Sequence, residues 1–247
     1  MPAALYHFPT PAPTTCAACG QVLSGTYYVL IDRPERYCPT CIHTRPRCDT
    51  CGAPLTNQAW QLHDGRQQCN QCHQVAIYDL TLARQLFLET VQTLRERQGL
   101  VLRVGVDFRL VDAPTMRELR QHEIDESGTA PTPTRYERTL GLYLRQGRVR
   151  AIFLLHGLPR LIFRTTVAHE YAHAWQGEHC PLLTDLVLRE GFAEWVAYRH
   201  LVQLGAHRAV ARMLQGNHPY RPMLEIVLQL EAQLGTDGLM QYIRTVE

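Results

Sequence analysis

The chain has 247 residues, 45% of them hydrophobic and 19% charged, with a formal net charge of +2. That is length enough to bury a core in one or two domains, and too even a charge to demand a nucleic-acid or anionic-membrane partner. Its cysteines argue against a disulfide-stapled secreted fold: eight of the nine fall into four C-x-x-C pairs before residue 73, a clustering that suits zinc in a reducing, cytoplasmic compartment.

The first 15 residues hold four prolines, no basic stretch and no long apolar run. They read as a flexible leader, 1–15, and as neither a signal peptide nor a membrane anchor. The cysteine pairs then follow: Cys16/Cys19, Cys38/Cys41, Cys48/Cys51 and Cys69/Cys72. Two residues between cysteines make a knuckle that offers both sulfurs to one ion, and gaps of 18 and 17 residues suit a β-hairpin that returns to the metal. Residues 16–75 therefore read as two four-cysteine structural zinc sites, built as a repeat that opens on Cys-Ala-Ala-Cys-Gly and again on Cys-Asp-Thr-Cys-Gly. Arg33, Arg36, Arg45, Arg47 and Arg66 are scattered among them and not striped, which leaves DNA reading a minor option.

From Ala76 the pattern becomes helical, with Leu80, Leu82, Leu86, Leu88, Val91 and Leu94 running to Gln98-Gly99. This change marks a domain boundary, with 76–247 as the second domain. Residues 100–112 alternate like a half-exposed strand, Ala113-Pro114 starts a short helix reaching His122, and Asp125 to Thr134 reads as a loop. A hairpin follows between Arg135 and Leu155 around Gln146-Gly147. Its second strand, Val149 to Leu155, is the candidate edge for an extended substrate, with an ordinary buried strand as the equal alternative.

The richest stretch is His169, Glu170, Tyr171, Ala172, His173, or H-E-x-x-H, within an expected helix from Leu158 to His179. Positions i and i+4 share a helix face, so both imidazoles can reach one zinc ion, with Glu170 beside it as general base. A site that does chemistry needs a third protein ligand. Seventeen residues after His173 comes Glu190, in Arg-Glu-Gly-Phe-Ala-Glu, with Glu194 one turn further along a helix expected to end near Leu204. One glutamate can bind the ion while the other orients a ligand histidine. Tyr198, His218 and Tyr220 are candidates for an oxyanion donor, Tyr220 being favoured because residues 217–220 form a polar loop. Cys180 reads as inert and His156 as a loop residue. Helices are expected over Ala206 to Leu214, Met223 to Leu234 and Leu239 to Thr245, with a break at Gly235 to Gly238.

These residues carry resemblances. The tandem cysteine module resembles a LIM domain, although Cys38 stands where LIM domains usually have histidine and six residues (IHTRPR) separate modules that are normally two apart. H-E-x-x-H followed by E-G-F-A resembles the gluzincin peptidases, thermolysin and the zinc aminopeptidases. That resemblance implies an α+β, thermolysin-like fold, Glu190 as third ligand and Glu194 behind a ligand histidine. The Gly-Ala-Met-Glu-Asn motif of aminopeptidases is absent, which points to endopeptidase action. The segments H-G-L-P-R-L (156–161), A-H-E-Y-A-H-A-W (168–175) and R-E-G-F-A-E (189–194), behind a LIM-like module, are similar to the LIM-containing peptidase family known from plants as ubiquitin-activated limiters of organ growth, and to its bacterial relatives. The resemblance implies a zinc endopeptidase of folded-protein substrates, holding one catalytic and two structural zinc ions, with ubiquitin or a ubiquitinated protein as a partner. The ubiquitin-interacting helices of the plant members have no counterpart in this sequence, so ubiquitin regulation does not carry over. The rival reading is a zinc-stabilised adaptor or regulator with a vestigial peptidase site.

Overall fold

In a computed structural model, residues 14–30, 34–127, 139–147, 149–216 and 218–246 are described, with backbone alone over 122–127. The leader lies almost wholly outside these residues, as does Arg33.

The two cysteine modules repeat one plan. In the first, a bridge between Thr15 and Val22 closes a knuckle, strands β1 (Tyr28–Val29) and β2 (Arg36–Tyr37) form a hairpin, and helix α1 (Pro39–Thr44) follows. In the second, the bridge joins Arg47 and Pro54, the strands are β3 (Trp60–Gln61) and β4 (Gln67–Gln68), and the helix is α2 (Asn70–Gln74). Each helix starts on a metal-site cysteine, Cys38 or Cys69, and in the first the Cys38 sulfur accepts from the Cys41 N–H at 3.4 Å. The long spacer between modules is pinned from both ends: Arg47 donates to the carbonyls of Ile42 and Gly52, and Arg45 to that of Leu55. Ile42 and Ala53 consequently share one small core with Cys16, Tyr37, Cys38 and Cys41.

Beyond the modules come β5 (Ala76–Ile77) and α3 (Leu80–Gln98), the latter capped by the Asp79 carboxylate and ended by Gly99 in the left-handed region at φ 69°. Strand β6 is only Asp107–Val111, shorter than the alternation of residues 100–112 suggests. The reason is a side chain: Glu178 accepts from the N–H groups of Arg103 and Val104 at 2.8 and 3.1 Å, satisfying the backbone without a ladder. Helix α4 (Ala113–Ser127) runs past His122 into the expected loop, the rest of which lies outside the described residues.

Strands β7 (Gly141–Gln146) and β8 (Val149–Leu155) form the expected hairpin, and the sheet order is β6-β8-β7, with β6 parallel and β7 antiparallel to β8. Strand β8 is therefore central and cannot take a further strand. Among the described residues the free edge near the motif belongs to β7, because the parallel partner β6, distant in sequence, occupies the other side of β8. Leu158–Pro159 are not the first turn of the zinc-motif helix but a short strand β9 paired with β5, and helix α5 spans Arg160–His179.

Helices α6 (Leu186–Gln203), α7 (His207–Gln215) and α8 (Arg221–Thr245) complete the chain. The expected break narrows to Gly235 alone, at φ 72° and ψ 169°. Trp175, Phe192 and Trp195 stack at 5.5 and 5.4 Å and join α5 to α6 in the core. At Gly191 the backbone of α8 comes so close that a Cβ would stand 2.5 Å from the Met223 carbonyl oxygen. This contact fixes the turn of α6 that carries Glu190.

His200, on α6, is fully buried and both ring nitrogens lack a partner. Burial, with the Arg164 charge, pushes its pKa from 6.5 down to about 4. The unfolded chain then binds an extra proton between those values, so stability is lost as pH falls through the window, by up to about 3 kcal/mol. Replacing His200 with Leu should leave the protein at least as stable at pH 7 and should remove that part of the acid sensitivity. Urea unfolding of both forms at pH 7 and pH 5 checks it; equal losses in the two forms would count against the assignment.

Candidate metal centre

Helix α5 presents His169 and His173 one turn apart, and α6 crosses it with Glu190. The two Nε2 atoms lie 3.1 Å from each other, and each lies 3.4 Å from Glu190 Oε2. A tetrahedral zinc with bonds of about 2.0–2.1 Å sets such ligand atoms roughly 3.3–3.4 Å apart, and sulfurs at about 2.3 Å roughly 3.8 Å apart. The imidazole and carboxylate trio fits the first spacing. The modules fit the second: Cys19 and Cys38 sulfurs are 3.9 Å apart, Cys51 and Cys69 sulfurs 3.8 Å. Among the described residues three groups gather ligand atoms in this way: Cys16, Cys19, Cys38, Cys41; Cys48, Cys51, Cys69, Cys72; and His169, His173, Glu190. The two four-cysteine clusters are LIM-like zinc sites of a mixed α/β protein.

The trio is held from behind. Glu194 Oε1 lies 3.6 Å from His169 Nδ1, and Gln176 Oε1 lies 2.9 Å from His173 Nδ1. Gln176 also donates to the Arg189 carbonyl at 2.9 Å, tying α5 to the residue before Glu190. Each ring thus has its Nδ1 engaged and its Nε2 turned to the centre. Burial alone would lower the His169 pKa, but the Glu190 hydrogen bond and the charges of Glu170, Glu194 and Glu190 outweigh it and raise it to about 9. Burial would likewise raise Glu190, yet its bonds to His169 and His173 hold the carboxyl well below the usual range. Three carboxylates around two imidazoles make a pocket that favours a cation.

Glu170, 7% exposed, turns toward the sheet, where its Oε2 accepts from the Tyr143 N–H at 2.9 Å. Of the oxyanion candidates, Tyr220 lies beside the centre, its ring 5.8 Å from that of His169. His218 instead meets the Met213 carbonyl at 3.0 Å, and Tyr198 packs against the core. Burial pushes the Cys180 thiol up to about 11, which agrees with an inert residue. His156 is more than a loop residue: it is buried in the turn between β8 and β9, 3.3 Å from Asp64 of the second module. The sequence reading missed Gln176 and Tyr143. Gln176 had a signal, three residues after His173 on the same face; Tyr143, acting through its backbone, had none. Arg36, Arg45, Arg47 and Arg66 all bond within the chain, and among the described residues no helix is long and apolar enough to cross a membrane.

Residues 134–218 match a family model described as "DA1-like: Protein DA1". The chain resembles the DA1-like, LIM-domain proteins of plants. The match contains His169, Glu170, His173, Glu190 and Glu194. Similarity extends further along the chain to Protein DA1 of Arabidopsis thaliana, 29% identical over 220 residues, covering 75% of this chain and 41% of that protein. Protein DA1-related 1 of the same plant is 30% identical over 175 residues, 57% of this chain and 31% of the relative. LIM domain-containing protein HDR3 of Oryza sativa subsp. japonica is 27% identical over 169 residues, 57% of this chain and 34% of the relative. The chain thus spans less than half the length of these DA1-like relatives. No solved structure matches it.

Proposed function

We propose that this chain is a zinc-dependent endopeptidase of gluzincin type, acting on protein or peptide substrates in the cytoplasm, with its LIM-like module serving substrate or partner binding. The observation that carries the reading is the near-tetrahedral spacing of His169 Nε2, His173 Nε2 and Glu190 Oε2, with Glu170 next to His169 on α5. A zinc ion held there supplies the Lewis acidity that brings the pKa of a water toward 7. Glu170 takes the proton of the attacking water and delivers it to the leaving amine. Glu194 and Gln176 hold the imidazoles in the tautomer that leaves Nε2 unprotonated. Tyr220, whose ring lies near that of His169, is the residue we assign as oxyanion donor.

The edge of β7 offers the substrate its seat. The Leu140 carbonyl accepts from Leu155, so even-numbered residues face β8 and the backbone groups of Gly141, Tyr143 and Arg145 face outward, the Tyr143 N–H being taken by Glu170. An extended peptide added along that edge passes alongside Glu170.

The adaptor reading has one observation in its favour: Tyr27, Tyr28, Val29 and Trp60 are exposed on the module hairpins. One experiment separates the two. The purified chain is incubated with an unfolded protein and the products are read by mass spectrometry, for the native form and for Glu170→Gln. The variant should keep all three metal ions expected from the three clusters and lose cleavage by about 10²–10⁴-fold. Undiminished cleavage by the variant overturns the mechanism.

A further inference from the structure

We infer that Gly141 and the backbone N–H of Tyr143 are positioning groups for Glu170: together they form the seat from which its carboxylate acts. The inference rests on the peptidase reading and adds to it two groups on β7, a strand that supplies no ligand.

Space is the first argument. A Cβ at Gly141 would stand 2.8 Å from Glu170 Cγ, 3.0 Å from Glu170 Oε1 and 2.5 Å from Thr166 Cγ2. Gly141 is not among the glycines with positive φ, so alanine could adopt its backbone conformation without strain. What glycine provides here is room, and the room is filled by the stem and one oxygen of Glu170.

Direction is the second argument. Tyr143 faces outward on an edge strand, where an N–H is ordinarily left to water or to an added strand. Here it donates to Glu170 Oε2 at 2.9 Å. With Oε2 fixed and the stem confined by Gly141, rotation of the carboxylate is restricted and Oε1 is the oxygen left for the proton in transit. A misplacement of about 1 Å at a reacting group can cost about 10²-fold in rate, so a seat of this kind is worth more to turnover than to folding.

The test uses the full chain and four variants, with Glu170→Gln as reference. Gly141→Ala should lower kcat by at least about tenfold, with KM and zinc content close to native, while the overpacking lowers the melting temperature. Adding Thr166→Ser, which removes the nearest clashing methyl and keeps the hydroxyl bond to the Ile162 carbonyl, should not restore it. Tyr143→Ala keeps the N–H and is the side-chain control against which Tyr143→Pro is read. Tyr143→Pro removes the outward donor together with the side chain, at a position where an edge strand tolerates proline, and should lower kcat well below that of Tyr143→Ala. A readout independent of turnover is the affinity for a peptide hydroxamate, whose acidic proton needs a carboxylate at the Glu170 position; it should weaken in Gly141→Ala, and more in Tyr143→Pro than in Tyr143→Ala. Full kcat in Gly141→Ala, rescue by Thr166→Ser, or a Tyr143→Pro effect confined to KM would each overturn the seat. Undiminished turnover in Glu170→Gln would instead sink the peptidase reading, so the two failures are distinct.

Discussion

Glu190→Ala is expected to hold two zinc ions where the native chain is expected to hold three, one for each gathered cluster, and to lose cleavage altogether. The Glu190 carboxylate is 8% exposed and its Oε2 is equidistant from both histidines, at 3.4 Å. Without it two imidazoles remain, one fewer than the three protein ligands that catalytic zinc sites keep. Glu194→Ala should behave differently, because Oε1 reaches only the far nitrogen of His169, at 3.6 Å. That variant should keep three ions, binding the third about 10–100-fold more weakly. Metal analysis after gel filtration, followed by competition with a chelator of known affinity, reads both effects. The reverse outcome, with the ion lost in Glu194→Ala and kept in Glu190→Ala, would move the ligand by one helical turn.

The trio could be read from the sequence because helical periodicity converts spacing into direction: His169 and His173 lie four residues apart, and Glu190 lies on the next strongly apolar helical stretch. The cysteine clusters were legible for a similar reason, since a knuckle offers its sulfurs to one ion whatever surrounds it. The sheet order was not. Nothing local to residues 149–155 records that β6, more than forty residues earlier, will pair beside them in parallel, and that long-range choice moved the free edge from β8 to β7. The same limit hid the Tyr143 contact, which depends on a backbone group carrying no residue identity. The sequence marks His156 as no more than a loop residue because its partners stand some ninety residues away, in the second cysteine module.

That module is joined to the core by buried polar groups, and Asp64→Ala should show how firmly. The Asp64 side chain is fully buried; its Oδ2 lies 2.8 Å from Arg66 Nη2, 3.3 Å from His156 Nε2 and 3.1 Å from the Ala113 N–H, which donates to it. One carboxylate of the module thus meets both the β8–β9 turn and the start of α4. Removing it leaves the Arg66 guanidinium, 11% exposed, without its counter-charge, a change that costs about 3–5 kcal/mol for a buried pair. In a chain of this size that corresponds to a melting temperature lower by roughly 6–20 °C. Burial by itself would raise the Asp64 pKa, but Arg66 and the Ala113 N–H outweigh it and lower it from 3.8 to about 2. The ionised form therefore stabilises the fold above about pH 4, and about 2 kcal/mol of that is lost as pH falls toward 2. The gap between native and variant should narrow over the same range. A second buried contact is untouched by the substitution: Gln68 donates to the Gly157 carbonyl at 2.6 Å, one residue from the metal-site Cys69. If the variant still unfolds in one transition, Gln68 and the β5–β9 pair suffice to couple module and core. A first transition that releases the module alone would mean that Asp64 carries the coupling, and a melting temperature within about 1 °C of native would mean that it carries none.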